Sequence, residues 1–227
     1  PQRFNFDSDT DKSNYLSSVY DSIILKDIVE RLNIKNLTSF NKVLQYILDT
    51  EGREFSRDNV IEYLKKENHE IANDTLYSYL NALTSTFILN KIYRYDVHGK
   101  SILKTLNKYY TNDLGIKQIK MNSEMINYSI SLENIVLNDL LAKDYDVYVG
   151  KTKKGEIDFI ATKNNKTKYI QVCYKLENEE TIEREFSAFN SIEDDNEKII
   201  ISLDAKNYSK NGIKHINIFD LLMDDDF

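Results

Sequence analysis

The sequence is poor in the residues that most often announce a chemistry. It has one cysteine, three histidines and a single proline, which is its first residue. A lone Cys173 cannot close an internal disulfide, so a reducing, cytoplasmic location is expected. His69, His98 and His215 are scattered, no zinc-ligand spacing can be built from them and one thiol, and all three are expected at the surface. The six glycines never cluster and no G-x-x-x-x-G-K-[ST] run occurs, which excludes a P-loop for ATP within these residues. No apolar run approaches the ~18 residues of a membrane span, so no membrane partner is expected. The chain opens on Pro1 without a basic and then apolar leader, and is expected to be a fragment with a further module upstream.

What is present points to a globular protein. At 227 residues, with 41% hydrophobic and 30% charged side chains, the chain can hold one large or two small domains with ample core. Charge is uneven along it. Residues 1–120 carry 17 Lys and Arg against 16 Asp and Glu, a net of +1. Residues 121–227 carry 13 against 21, a net of −8, and the two sum to the overall −7. Bulk attraction to nucleic acid is therefore excluded for the second half, and only a local cluster of cations would support it.

Helical spacing dominates the first half. Ser18–Leu32 places Val19, Ile23, Ile24, Ile28 and Leu32 near a 3.6-residue period. A second helix is expected up to Gly52, capped by Thr38 or Ser39, a third from Ser56, and a fourth from Asn73 or Asp74 with Leu76, Tyr79, Leu80 and Leu83 as its stripe. The period then changes to two. Ile88–Tyr110 reads as a hairpin turning at His98 and Gly99. Three short helices followed by a hairpin resemble a winged helix, with the hairpin as wing. Lys91, Arg94, Lys100, Lys104 and Lys108 load that wing with positive charge and are the candidate DNA contacts. The helix in the recognition position, Thr75–Thr84, has no Lys or Arg, which equally suits a structural or protein-contacting module.

Beyond residue 120 the order is helix (Ser131–Asp144), three strands, a charged helix, a buried strand, then a strand and a short helix, which suggests a mixed sheet flanked by helices. In "GEIDFIAT" Glu156 and Asp158 share one strand face. In "KYIQVCYKL" Gln171, Cys173 and Lys175 do the same. Such a face is either solvated or a metal site. The acid-rich "ENEETIERE" reads as a solvated helix face.

These positions resemble the PD-(D/E)xK, or restriction-endonuclease-like, superfamily. Its pattern of a helix acid, a strand-end Asp, then Glu or Gln with Lys two residues on falls at Glu133, Asp158, Gln171 and Cys173. From Asn14 onward the chain is also similar to the C-terminal region of bacterial and archaeal AAA-type ATPases. The resemblance is carried by stretches such as "DTLYSYLNALTSTFILNKIYRYDVHGKSIL", "LENIVLNDLL" and "VYVGKTKKGEIDFIA". It implies an α+β chain: a helical, winged-helix domain over 1–120 and a nuclease-like α/β domain of unknown function over 121–227. An ATPase module is implied upstream, and ATP is expected only there. The site residues implied are Glu133, Asp158, Gln171 and Lys175, with Glu133, Glu156 and Asp158 as candidate Mg²⁺ ligands. Mg²⁺ takes oxygen ligands and activates an attacking water in phosphodiester cleavage. Gln171 offers only a neutral oxygen and Cys173 no amine, so Glu156 and Lys175 would have to take their places. Two functions follow: a DNA- or partner-binding regulatory module on a degenerate nuclease-like scaffold, or a Mg²⁺-dependent DNA nuclease with a shifted site.

Overall fold

The structure is a computed structural model and describes residues 5–30, 34–120, 127–225 and 227. The chain is α+β and divides into two compact units. The first comprises residues 1–91 and 109–126, the second 92–108 and 127–227. By contacts, residues 92–108 of the hairpin group with the second unit, whereas the expected division lies at 120/121.

In the first unit α1 (Asp9–Ser22) continues as a π-helical stretch (Ile23–Glu30), followed by α2 (Leu37–Asp49), α3 (Arg57–Lys66) and α4 (Asn73–Ser85). After the hairpin comes α5 (Leu114–Lys120), a short helix the apolar periodicity does not announce. Leu32, the last residue of the expected first helix, lies outside the described residues. Asn36, not Thr38 or Ser39, caps α2 by accepting from Ser39 N at 3.0 Å. Ser56 caps α3 as expected, accepting from Asn59 N. The apolar faces close on Phe40, Val43, Leu44, Leu64, Leu76 and Leu83, all nearly or fully buried. Burial of this kind contributes on the order of 25 cal/mol per Å² of apolar surface and outweighs helix propensity.

One polar pair sits inside that unit. The Glu51 carboxylate is 1% exposed, takes the Lys117 ammonium on one oxygen, and accepts from Thr111 N at 2.6 Å on the other. Tertiary structure thus satisfies both ends of a buried charge.

The hairpin strands are β1 (Leu89–Asp96) and β2 (Ser101–Thr111). Asp96 Oδ1 accepts from the amides of His98 and Gly99 and so fixes the turn. Residues 92–108 open a seven-stranded mixed sheet in the order β2-β1-β3-β4-β5-β6-β7. The remaining strands are β3 (Asp146–Lys151), β4 (Glu156–Lys163), β5 (Lys166–Val172), β6 (Glu197–Ser202) and β7 (Ile213–Asn217). Strands β3, β4 and β5 run antiparallel, while β1–β3, β5–β6 and β6–β7 pair in parallel. Helices α6 (Tyr128–Ala142), α7 (Glu179–Ser187) and α8 (Ile218–Met223) complete the second unit, with a 3₁₀ turn at Ala188–Ser191. Between Tyr148 and Gly150 the β3–β4 ladder shifts register, and a Cβ at Gly150 would stand 3.0 Å from Ile157 Cβ, so a side chain there would need Ile157 and Ile160 to give by a few tenths of an ångström.

Strand β5 ends at Val172, two residues before Tyr174 and three before Lys175. One expectation fails in this unit. His215 is buried rather than exposed: its Nε2 is 2.9 Å from Ser202 Oγ, and its Nδ1 accepts from Tyr208 N at 3.3 Å. Ser202 Oγ donates in turn to Asp204 Oδ2 at 2.8 Å. A strand of alternating apolar residues carries this histidine inward as its neighbours fold.

Candidate functional site

Antiparallel pairing of β4 with β5, with Phe159 opposite Ile170, brings Asp158 across from Gln171. The two are tied through the backbone. Val172 N donates to Asp158 Oδ2 at 2.8 Å, and Asp158 N donates to Gln171 Oε1 at 3.4 Å. A cleft of about 370 Å³ opens over them, lined also by Glu133 of α6, Lys175 beyond β5, and Arg184 and Glu185 of α7. Glu133, Asp158, Gln171 and Lys175 therefore share one cleft.

Burial pushes the Asp158 carboxyl up to about 6; the Val172 amide and the Lys108 ammonium oppose the rise, and the charges of Glu185 and Glu156 add to it. Cations stand beside Glu156 and Glu185. Lys108 Nζ lies 2.8 Å from Glu156 Oε2, and Arg94 Nη2 lies 3.2 Å from Glu156 Oε1. Both cationic side chains are more than nine-tenths buried. Arg184 donates to the Glu185 carboxylate at 2.6 Å. Glu156 is thus held by Arg94 and Lys108, and Glu185 by Arg184, while the cleft itself is lined by Glu133, Asp158, Glu177 and Glu185 with Lys175 and Arg184.

Mg²⁺ needs several oxygens bearing negative charge and free to turn to the ion. Glu156 does not line the cleft; it is held by Arg94 and Lys108. Gln171 Oε1 already accepts from Asp158 N, and Asp158 Oδ2 from Val172 N. Among the described residues no group of three or more His, Cys, Asp or Glu side chains comes together as a metal-holding set. The proposed ligands Glu133, Glu156 and Asp158 do not fit the ion as arranged.

Cys173 and Lys175 both line the cleft. Cys173 is buried with Leu176, Phe186 and Ile200 in an apolar cluster, and burial drives its thiol up to about 12, with Glu185, Asp204 and Asp158 adding. Lys175 is exposed beyond the strand end. The wing cations also separate. Lys91, Lys100 and Lys104 are exposed, whereas Arg94 and Lys108 are spent on Glu156. Period two carried the warning, since Arg94 shares its face with buried Ile92.

Glu185 was not anticipated as a site residue, because the charged run around it reads as solvated. It is 5% exposed. Its signal lies in the spacing Ile182, Glu185, Phe186, Phe189, an i, i+3, i+4, i+7 stripe with one acid in an apolar position.

Models of two domain families match the chain. "Domain of unknown function (DUF8612)" covers residues 1–124, and "Domain of unknown function (DUF4143)" covers residues 128–221. An uncharacterized protein from Haemophilus influenzae is 34% identical over 215 residues, which is 93% of this chain and 52% of that protein. The uncharacterized protein MJ1544 from Methanocaldococcus jannaschii is 26% identical over 232 aligned residues, 97% of this chain and 49% of that protein. The chain thus spans about half the length of the curated relatives it matches. Among solved structures, protein VC1899 from Vibrio cholerae is matched over 83% of this chain and 55% of that one, at 11% identity and a TM-score of 0.25. No helix of the described residues is long and apolar enough to cross a membrane. With residues 1–124 of its 227 matched by one model, the chain belongs to the DUF8612 family and carries a DUF4143 region behind it.

Proposed function

We propose that the chain is a DNA- or partner-binding regulatory module of an AAA-type ATPase, and that its second unit is a nuclease-like, PD-(D/E)xK-type scaffold without a working metal centre. The first unit is read as winged-helix-like. The observation that carries the proposal is that Glu156 is tied to Arg94 and Lys108, that Gln171 Oε1 and Asp158 Oδ2 already accept from backbone amides, and that no metal-holding set forms among the described residues. A catalytic carboxylate pair keeps unspent negative charge for the ion; Glu156 here has spent its charge on Arg94 and Lys108. Curated relatives about twice as long as this chain leave room for an ATPase module, and ATP binding belongs there in this reading. Weak, sequence-tolerant DNA contact would fall to the exposed Lys100 and Lys104, and the modest number of exposed cations on the hairpin favours a protein partner over a high-affinity nucleic-acid site.

The test is cleavage of linear, branched and single-stranded DNA by this chain with Mg²⁺ and Mn²⁺, beside Asp158→Ala and Lys108→Ala. No metal-dependent cleavage is expected from any of the three. Cleavage by the wild type that disappears in Asp158→Ala would overturn the proposal in favour of a nuclease with a shifted site. Repair through Cys173→Lys is no test, because position 173 lies in the apolar cluster.

A further inference from the structure

A second cavity in the second unit lies on the same sheet face as Asp158, further along the strands, and its construction is regular. Register places Tyr148 of β3 opposite Ile160 of β4, and Ile160 opposite Tyr169 of β5. The next row on that face pairs Asp146 with Thr162, and Thr162 with Thr167. A row of ring and alkyl surface therefore runs beside a row of hydrogen-bonding groups. Tyr95 of β1 extends the first row, its ring 5.9 Å from that of Tyr148 and inclined to it by 50°. These side chains line about 420 Å³ of space.

Charge sits at two ends of that space. Asp194 is fixed there: Tyr169 Oη donates to its Oδ2 at 2.7 Å and Asn196 N to its Oδ1 at 3.0 Å. Asp146 is exposed and makes no hydrogen bond or ion pair among the described residues. Lys100 also lines the cavity, so its lining carries two negative charges against one positive.

The geometry points to a binding site for a guanidinium group. A guanidinium is flat and weakly hydrated, lies face-on over tyrosine rings, and forks its N–H donors to a carboxylate at its edge. The aromatic row supplies the faces, and Asp146 with the Thr162–Thr167 row supplies the edge acceptors. An alkylammonium is a strongly hydrated point charge that gains less from the rings. A nucleotide would also stack, but its phosphate would meet Asp146 and Asp194. The same group is offered by a free arginine-like molecule and by an arginine side chain of a protein partner.

The experiment is an amide-resolved NMR titration of the 227-residue chain with L-arginine, acetyl-arginine N-methylamide, n-propylamine and uridine. Saturable shifts are expected at Tyr148, Ile160, Thr162, Thr167 and Tyr169. At least one guanidinium compound should bind about fivefold or more tightly than n-propylamine. Preference for free arginine identifies a small-molecule source, and preference for the blocked form a protein source; either supports the site. Tyr148→Leu, which keeps apolar bulk and removes the π face, and Asp146→Asn should each weaken binding by about fivefold or more. Lys100→Ala should tighten it. No shift at those five amides, n-propylamine or uridine matching the guanidinium compounds, or wild-type affinity in both Tyr148→Leu and Asp146→Asn would overturn the assignment.

Discussion

Glu51 in the first unit and Asp158 in the second are both acids taken out of water, yet their surroundings differ. Glu51 is enclosed, 1% exposed at its side chain, and takes the Lys117 ammonium and the Thr111 amide. Asp158 borders a cleft, and the charges of Glu185 and Glu156 oppose its ionisation while that of Lys108 favours it. Burial of the first kind is a matter of architecture. The second kind burdens the fold with an ionised group at neutral pH, and perturbed acids of that sort concentrate where surfaces do something. The contrast therefore marks the second unit's cleft, and not the first unit's ion pair, as the place to look for function.

Breaking the closed pair should have the largest effect. Lys117→Met removes the ammonium and leaves Glu51 buried with an uncompensated charge, a loss of about 3–5 kcal/mol. The double replacement Glu51→Gln with Lys117→Met should recover much of that loss, because an amide can still accept from Thr111 N. Chemical denaturation of the three proteins measures both. A double variant as unstable as Lys117→Met would show that packing, not charge, is at stake.

Next comes the opposite sign. The folded-state value of Asp158 lies near 6, above the ordinary carboxylate value near 4, so ionising it costs stability as pH rises through that interval. At pH 7 the full cost, roughly 1–3 kcal/mol, is present; below about pH 4 it is absent. Asp158→Asn, whose Oδ1 can still accept from Val172 N, should therefore raise the melting temperature at pH 7 and leave it unchanged at pH 4. A variant less stable than wild type at pH 7 would mean that Lys108 and the Val172 amide outweigh burial.

How far the sequence reaches is clear from these same residues. Periodicity located α2, α3, α4, α6 and every strand, because apolar faces are written locally. That Asp158 and Gln171 belong together is implied by the family resemblance and not by periodicity; the antiparallel β4–β5 register, across a short turn, sets them opposite each other. What could not be read is which charges meet across the sheet. Arg94 and Lys108 lie about fifty or more residues from Glu156, and nothing local distinguishes them from exposed Lys100 and Lys104 except their position in the alternation. Strand β5 ends at Val172, yet Cys173 N still donates to Ile201 O at 3.0 Å, and Cys173 lines the cleft with Gln171.

His215 gives a smaller, pH-dependent effect. Burial holds its imidazole below the ordinary histidine value, and the Asp204 charge opposes that. Nδ1 already accepts from Tyr208 N, so a proton there would face a donor. The sign follows: stability from neutral His215 is full above about pH 6.5 and is lost as pH falls through the lower folded value. Asp158 changes in the opposite sense over pH 6 to 4, so wild type mixes the two. A melting series from pH 7.5 to 5 on Asp158→Asn isolates the histidine and should fall steadily. A flat series would mean that His215 is not held below its ordinary value.

The smallest effect on stability separates spent cations from unspent ones. Arg94→Ala should destabilise the second unit, since it uncovers the partly buried Glu156 carboxylate. Lys100→Glu with Lys104→Glu should change stability by no more than about 0.5 kcal/mol, because both lysines are exposed. Their effect belongs to binding. Each phosphate contact releases counterions, with a slope of about 0.9 in log affinity against log salt on duplex DNA. If the hairpin touches DNA through these two lysines, the double variant should bind more weakly and its salt slope should be shallower by about 2. Titrations of duplex DNA at several salt concentrations give both quantities. An unchanged slope would remove DNA from this hairpin and leave its exposed surface to a protein partner, the reading that the burial of Arg94 and Lys108 already favours.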